Sequence, residues 1–524
     1  MGIFRHLGTL TGIRRRTLSS AWSLLRSGDL PSIARRSARR LIALRPTPRI
    51  THAEWRRCHV DLTEANRAWI LAHPAATHLA VVVATGDGTD ETVASLERQL
   101  HDGWSIGPHP DHWTVELEAG IVLHEAALWV LATAIDDTGS NGPNLRLVYS
   151  DHDHLDKDRQ PVDPAFLPDW NPELFAGLGQ ISPLVARHPD LRDAFPRVPV
   201  PTDLHPSQVR HLPHILASRP ITDRRMALPI SPPRTQNSAT PPRVSILIPT
   251  RDQGQLLETC LRSIRERSTH PDVELVIVNH ETTEPYACRI LDALTDDAAA
   301  TVLQHRGPFN FAAMMNRAAD EASGEHLVLL NNDTEVLSPD WLELMTAHLD
   351  RPDVGIVGAL LLFPDGTIQH AGVHPGLGGL MGHGHKHLSG DDPGHLGRLQ
   401  ITHRVAAVTG ACMAIRADQW CELGGLDEGL TVAYNDIDLC LKARSAGKAV
   451  LLEPKAVLRH HESVSRGYDD DPARRTRLQG EINRMRDRWG DHLGEDPAYN
   501  PNLSLTEPGF IPADPPRVSR PWGG

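Results

Sequence analysis

No apolar run in the 524 residues reaches the roughly 18 that a membrane-spanning helix needs. The N-terminus also lacks the apolar core and small-residue cleavage site of a secretory signal, so the chain is expected to stay in the cytoplasm. Cysteine is scarce: Cys58, Cys260, Cys288, Cys412, Cys421 and Cys440 are scattered, with no C-x-x-C pair. That spacing argues against a disulfide framework or a cysteine zinc site, and predicts reduced, mostly buried thiols. Glycine-rich phosphate loops are missing as well. No G-x-G-x-x-G follows the strand-like "RVSILIPT", and no G-x-x-x-x-G-K-[ST] occurs anywhere. Any phosphate must therefore be neutralised by other means.

Acid is nearly absent from residues 1–50, where Asp29 stands alone among eleven arginines, although the whole chain carries a formal charge of -13. Basic residues near anionic lipid contribute roughly 1 kcal/mol each, and "LSSAWSLLRSGDL" adds a short apolar face. The arm reads either as a peripheral contact with the inner face of the cell membrane or as a solvated extension. Nucleic acid is not expected as a partner, because nothing after residue 50 continues the basic surface.

At this length two or three domains are expected. Residues 1–50 form the basic arm, and residues 229–242 are a Pro-rich linker in which periodicity stops. Residues 51–228 and 243–495 are the candidate domains, and 496–524 a Pro-rich tail. In the second domain "RVSILIPT", "VELVIV" and "HLVLL" read as strands. They alternate with helical patterns such as "GQLLETCLRSIRE", which places Leu257, Cys260, Leu261 and Ile264 on one face. This alternation predicts an α/β fold, a mostly parallel sheet with helices on both faces and ligands beyond the strand ends.

Two strand ends and a helix start carry chemistry. "HLVLL" runs into Asn331-Asn332-Asp333, where a carboxylate suits a hard divalent cation that bridges to phosphates. "VAYNDIDLCLKARSAGKAVLLEPKAVLRHHES" supplies Asp436 and Asp438 at a helix start and then a strand ending on His460 and His461, either of which can complete a coordination shell. Asp333 also suits a turn cap and Asp436 a helix N-cap, a role compatible with catalysis. The histidines His370, His374, His383, His385 and His387 in "HAGVHPGLGGLMGHGHKH" match no standard zinc spacing, and read better as an acceptor-side loop.

Together these residues resemble the inverting family 2 glycosyltransferases of the GT-A fold, a Rossmann-like nucleotide-diphospho-sugar transferase fold, over about residues 243–495. "GPFNFAAMMNRAA", "FPDGTIQHAG" and "VTGACMAIR" are similar to the rhamnosyltransferase-like subset that builds bacterial surface polysaccharide. The resemblance implies that Thr250, Asp252 and Asn279 hold the nucleoside. It also implies that Asn331, Asn332 and Asp333 stand on the D-x-D motif, with Asp333 and His460 or His461 as ligands of Mn2+ or Mg2+ and Asp436 as catalytic base. Arg466, in "HHESVSRG", reads either as a bidentate donor to the diphosphate or as an exposed structural arginine. The donor is then a nucleotide-sugar and the acceptor a glycan or lipid-linked hydroxyl. Asn279, Asn331 and Asn435 depart from the family's usual acids, leaving Asp333 and Asp436 as the charged pair. A non-catalytic nucleotide-sugar-binding scaffold at the membrane surface is the competing reading. A sugar nucleotidylyltransferase would need a Gly-rich first loop that "IPTRDQGQ" lacks.

The first half parallels the second. "HLAVVVATGDGTDETVASLERQL" follows "RVSILIPTRDQGQLLETCLRSI", and an offset of 214 residues sets "VLHEAALWVLATAI" on "VLSPDWLELMTAHL" and Ala119 on Asp333. A tandem copy that lost its metal carboxylate is expected, with Asp151-His152-Asp153 as a D-x-D look-alike.

Overall fold

The computed structural model describes residues 50–137, 144–191, 203–221, 241–296, 300–461, 472–494 and 496–523. Nearly all of the basic arm, most of the linker and Arg466 lie outside these. The chain divides into residues 1–55, of which only the last few are described, and residues 56–524, which hold two large sheets.

The first sheet comprises β1 (Leu79–Val83), β2 (Trp104–Ile106), β3 (Trp113–Leu117), β4 (Val122–Leu123), β5 (Leu147–Leu155), β6 (Pro161–Ala165), β7 (Val185–Arg187) and β8 (Val209–Pro220). Helices α1 (Thr89–Glu97) and α2 (Ala127–Asp136) accompany it. The second comprises β9 (Val244–Thr250), β10 (Val273–His280), β11 (Thr301–His305), β12 (His326–Leu330), β13 (Thr334–Val336), β14 (Val354–Leu362) and β15 (Ile368–His370). After the hairpin β16 (Val373–Pro375) and β17 (Met381–His383), a separate two-stranded sheet, it continues with β18 (His403–Arg404), β19 (Cys412–Arg416) and β20 (Ala449–His460). Its longer helices are α3 (Gly254–Arg267), α4 (Pro285–Asp296), α5 (Phe311–Glu321), α6 (Trp341–Leu349), α7 (Asn435–Ser445) and α8 (Pro472–Trp489).

Apart from Ser245, the body of β9 is apolar on both faces. Val244, Ile246 and Ile248 pack with Leu257, Cys260, Leu261 and Ile264 of α3, while Leu247 packs on the other face with Met314 and Met315 of α5. A strand covered on both faces needs no polar alternation, and each fully buried aliphatic side chain contributes about 1.5–3 kcal/mol.

The expected mostly parallel sheet is corrected to a mixed one. β10, β9 and β12 run parallel, as do β14 and β20, but β19 lies antiparallel between β12 and β14, and β13 lies antiparallel on β20. The apolar composition of "CMAIR" fixes burial, not direction, so its reversal is invisible in the pattern.

Both sheets are wound alike. The order β2-β1-β3-β7-β5-β8-β4 matches β10-β9-β12-β19-β14-β20-β13, with β11 added at the edge. Each pairing has the same direction in both: parallel for β1 with β3 and β9 with β12, antiparallel for β3 with β7 and β12 with β19, parallel for β5 with β8 and β14 with β20. A shared hydrogen-bond pattern fixes the correspondence. Ser95 Oγ donates to Thr92 O and accepts from Leu123 N–H; Ser263 Oγ donates to Cys260 O and accepts from Val336 N–H. Leu123 thus matches Val336, which puts Gly120, not Ala119, opposite Asp333.

The segment 496–523 has no helix or strand, yet it is packed, with Tyr499, Leu503 and Trp522 buried. Among the described residues no helix is long and apolar enough to cross a membrane.

Candidate active site

β12 ends at Leu330, and the chain turns without a glycine. Asn331 N–H donates to Ala411 O at 3.1 Å, and Thr334 returns its N–H and Oγ to Asn331 O at 3.4 and 2.9 Å. Asn and Asp tolerate such a turn because short polar side chains satisfy local backbone and neighbours. Asn332 Nδ2 donates to Thr250 Oγ1 at 2.9 Å, tying the turn to the end of β9. Beneath it Cys260 Sγ sits 3.7 Å from both Asn331 O and Thr334 Oγ1, and burial pushes its thiol up to about 12. That cysteine is packing, not a nucleophile.

After the turn β13 pairs with the end of β20, Thr334 opposite His460. This register carries His460 Nε2 to 3.0 Å from Asp333 Oδ1, both side chains being about one-tenth exposed. His460 Nε2 also lies 3.2 Å from Asn331 Nδ2, and Nδ1–H donates to Gln369 Oε1 at 2.7 Å. His461 is directed elsewhere: its backbone N–H donates to Asp333 O at 2.9 Å, but its ring lies 3.8 Å from Glu335. Adjacent residues of a strand face opposite sides, so the two histidines are separated, and His460 is the one brought to Asp333.

Asp436 lies in the first turn of α7, capped by Tyr434 in a left-handed conformation (φ 66°), and is not itself the N-cap. Gly410 N–H donates to Asp436 Oδ2 at 2.9 Å, and Ile437 N–H to Oδ1 at 2.8 Å. Because Ala411 O receives Asn331 N–H and Thr409 N–H meets His370 Nε2 at 3.4 Å, three consecutive residues stitch Asp436, the Asn331 turn and His370 together. The helix N-terminus also favours a carboxylate. The next acid, Asp438, is fully buried against Arg488 Nη1 and Trp489 Nε1 of α8 at 2.7 and 2.9 Å.

Two residues expected at the nucleoside are occupied in the backbone of the site. Asp252 Oδ1 accepts Thr283 and Glu284 N–H at 2.7 and 2.8 Å ahead of α4, and these two bonds hold its carboxyl below the usual range. Asn279 Oδ1 accepts Thr282 N–H at 3.0 Å and its Nδ2 donates to Gln304 at 3.1 Å. Thr250, Asp252 and Asn279 still line one edge, the ends of β9 and β10.

Among the described residues no three His, Cys, Asp or Glu form a group able to hold a metal. The fit of a hard divalent ion rests on the donor set: one carboxylate oxygen and one imidazole nitrogen at 3.0 Å. Mg2+-like ions commonly take one or two protein carboxylates and complete their shell with substrate phosphates and water, so two protein donors suffice when a diphosphate arrives.

The glycine-rich histidines have structural partners. His370 Nδ1 and His383 Nδ1 are 2.9 Å apart, with burial lowering both rings, His383 to about 4. His374 Nδ1 meets Asp496 at 2.7 Å, His385 stacks on Phe510 at 4.1 Å, and His387 stacks on Phe363 at 5.2 Å.

In the first sheet the places of Asn331, Asp333 and His460 are taken by Glu118, Gly120 and Arg219, with Arg219 Nη2 3.9 Å from Glu118. The look-alike Asp151 is fully buried and saturated: it accepts from Leu167 N–H, His211 Nε2, Asn500 Nδ2 and Asn502 Nδ2. Asp153 pairs with Arg56 at 2.5 Å. Sequence reasoning missed Gln369 and the 409–411 stitch, whose contacts span tens of residues and leave no local pattern.

Residues 241–490 match the model of the glycosyltransferase like family 2. The chain is 36% identical over 424 residues to the uncharacterized protein y4gI of Sinorhizobium fredii, covering 71% of this chain and 47% of that one. It is 38% identical over 266 residues to the O-antigen biosynthesis protein RfbC of Myxococcus xanthus, covering 51% and 20%. The chain thus spans less than half the length of these curated relatives. Two solved structures are similar in part. One is GalNAc-T7 with UDP, GalNAc and Mn2+ (17% identity, 49% of this chain and 50% of that chain, TM-score 0.40). The other is the mannosyltransferase PcManGT of Pyrobaculum calidifontis with GDP-Man and Mn2+ (21%, 47% and 65%, TM-score 0.35).

Proposed function

We propose, from the family 2 domain that fills residues 241–490, that the chain is an inverting glycosyltransferase whose centre is Asp333, His460 and Asp436. It moves a sugar from a nucleotide-sugar to a hydroxyl of a glycan or lipid-linked acceptor. The observation that carries the reading is the junction of β12, β13 and β20, which brings Asp333 and His460 to 3.0 Å while residues 409–411 tie the Asp333 turn to Asp436. The name of the Myxococcus relative supports a role in cell-surface polysaccharide synthesis.

Asp333 and His460 would hold Mn2+ or Mg2+, which when bound neutralises charge developing on the departing nucleoside diphosphate. Thr250, Asp252 and Asn279, at the ends of β9 and β10, orient the nucleoside, and Asn332 keeps the turn in register with Thr250. Asp436 accepts the proton of the acceptor hydroxyl as its oxygen bonds to the anomeric carbon from the face opposite the leaving phosphate. The carbon–oxygen bond to the diphosphate breaks, and the configuration inverts without a covalent enzyme intermediate. Asp436 is held for this by Gly410 and Ile437 N–H, which occupy its oxygens without neutralising it. Arg466 is assigned to the diphosphate on its sequence position alone.

The first lobe is read as a tandem copy of the same domain that lost its chemistry; the shared strand order and the Gly120 and Arg219 replacements support this. The arginine arm supports peripheral contact with anionic lipid. The test is a panel of nucleotide-sugars with candidate acceptors, followed by nucleoside diphosphate release and by NMR of the product's anomeric configuration. Release with inversion supports the proposal, and a retained configuration contradicts it.

A further inference from the structure

β15 is a strand of three residues, Ile368–His370, whose pairing with β14 shifts register between Leu361 and Leu362. Bulges of this kind re-aim side chains at sheet edges and beside active sites. Here the middle residue, Gln369, is 5% exposed, and its Oε1 lies 2.7 Å from His460 Nδ1. Its neighbour His370 is fully buried against His383, which pins the short strand from the other side.

The hydrogen bonds around the imidazole are consistent with one another. Gln369 Oε1 can only accept, so Nδ1 carries the hydrogen of that contact, and Nε2, 3.0 Å from Asp333 Oδ1 and 3.2 Å from Asn331 Nδ2, is the ring nitrogen that faces the carboxylate. The pairing of β13 with β20 sets the backbone of His460, and it leaves the ring's rotation and tautomer undetermined. Gln369 supplies both.

We infer that Gln369 is the positioning residue of the metal centre: it receives Nδ1–H of His460 and so presents Nε2, beside Asp333, as the ligating atom. This rests on the reading of Asp333 and His460 as metal ligands. Outer-shell acceptors of this kind, when removed, typically cost roughly 10–100-fold in metal affinity. Gln369→Met keeps the length of the side chain and removes the acceptor, whereas Gln369→Glu keeps an acceptor oxygen.

Two measurements on the full chain test it. Mn2+ affinity is read by electron paramagnetic resonance with inorganic pyrophosphate standing in for the donor's diphosphate. Wild type binds, Gln369→Met binds roughly 10–100-fold more weakly, Gln369→Glu returns to within a few-fold of wild type, and His460→Ala marks the floor. The tautomer of His460 is read separately from imidazole nitrogen shifts in the metal-free protein: Nδ1 carries the proton in wild type, and this preference is lost in Gln369→Met. Unchanged Mn2+ affinity together with an unchanged tautomer in Gln369→Met overturns the inference while leaving the metal reading intact. If wild type binds no Mn2+, or binds it no better than His460→Ala does, the metal reading itself falls and takes the inference with it. A general loss of fold is recognised because Gln369→Glu then fails to recover affinity, and that outcome also counts against the positioning role.

Discussion

Asp333 and Asp436 are both carboxylates at element ends, but their surroundings fit them for different work. Asp333 is nearly buried and faces a ring nitrogen; Asp436 is half-buried and receives two backbone N–H groups. Asp436→Asn should therefore lower turnover by roughly 10²–10⁴-fold, the usual contribution of a general base, while the dissociation constant of the nucleoside diphosphate changes little; initial rates and a binding titration separate the two. His460→Ala should abolish Mn2+ binding and His461→Ala should leave it close to wild type, because the ring of His460 lies at the Asp333 carboxylate and the ring of His461 lies at Glu335. At this scale the sequence marks a carboxylate at a strand end and another at a helix start, so the positions of Asp333 and Asp436 were legible. The choice between His460 and His461 was not, since it depends on which face of β20 meets β13. Gln369 was hidden for a similar reason: its partner is ninety-one residues away.

Among the elements, the C-terminal segment holds the molecule together in a way its proline-rich composition conceals. Asp496 meets His374, Arg398 Nη1 donates to Ala498 O at 2.7 Å, Asn500 and Asn502 reach Asp151 on β5, and Trp522 enters the core of the first lobe. These anchors are single residues without a period, so no pattern in the sequence announces them. Asp151 is therefore a clasp rather than a ligand. Asp151→Ala strands a buried His211 and two amides and should cost about 3–5 kcal/mol, the scale for breaking a buried pair, measured by denaturant melts. Burial pulls the His211 ring down, but Asp151 and Asp169 outweigh it and raise it to about 9. The ring's folded value lies above its ordinary ~6.5, so its contribution is fully present below about pH 6.5 and is lost as pH rises through about 9. Thermal melts should show stability declining over that window, and His211→Gln should flatten the decline.

On the scale of the whole molecule, two sheets share one winding but carry different residues where β13 and β4 meet their long partner strands. The alternation of strand and helix was legible in both halves, whereas the antiparallel insertion of β19 was not, because an apolar run carries no direction. The offset between the two similarly wound sheets was readable only to within one residue, and a single pair of serine hydrogen bonds places Gly120, rather than Ala119, at the position equivalent to Asp333. The central claim is that all turnover arises in the second lobe. The most direct measurement compares nucleoside diphosphate release, per folded molecule, for wild type, Asp333→Asn and the double variant Asp151→Asn with Asp153→Asn. The account predicts at least a ~100-fold loss for Asp333→Asn, about 2.7 kcal/mol of barrier, and a rate for the double variant within about twofold of wild type once its lower stability is allowed for. Equal losses at the two sites, or an Asp333→Asn rate within about tenfold of wild type, would contradict it.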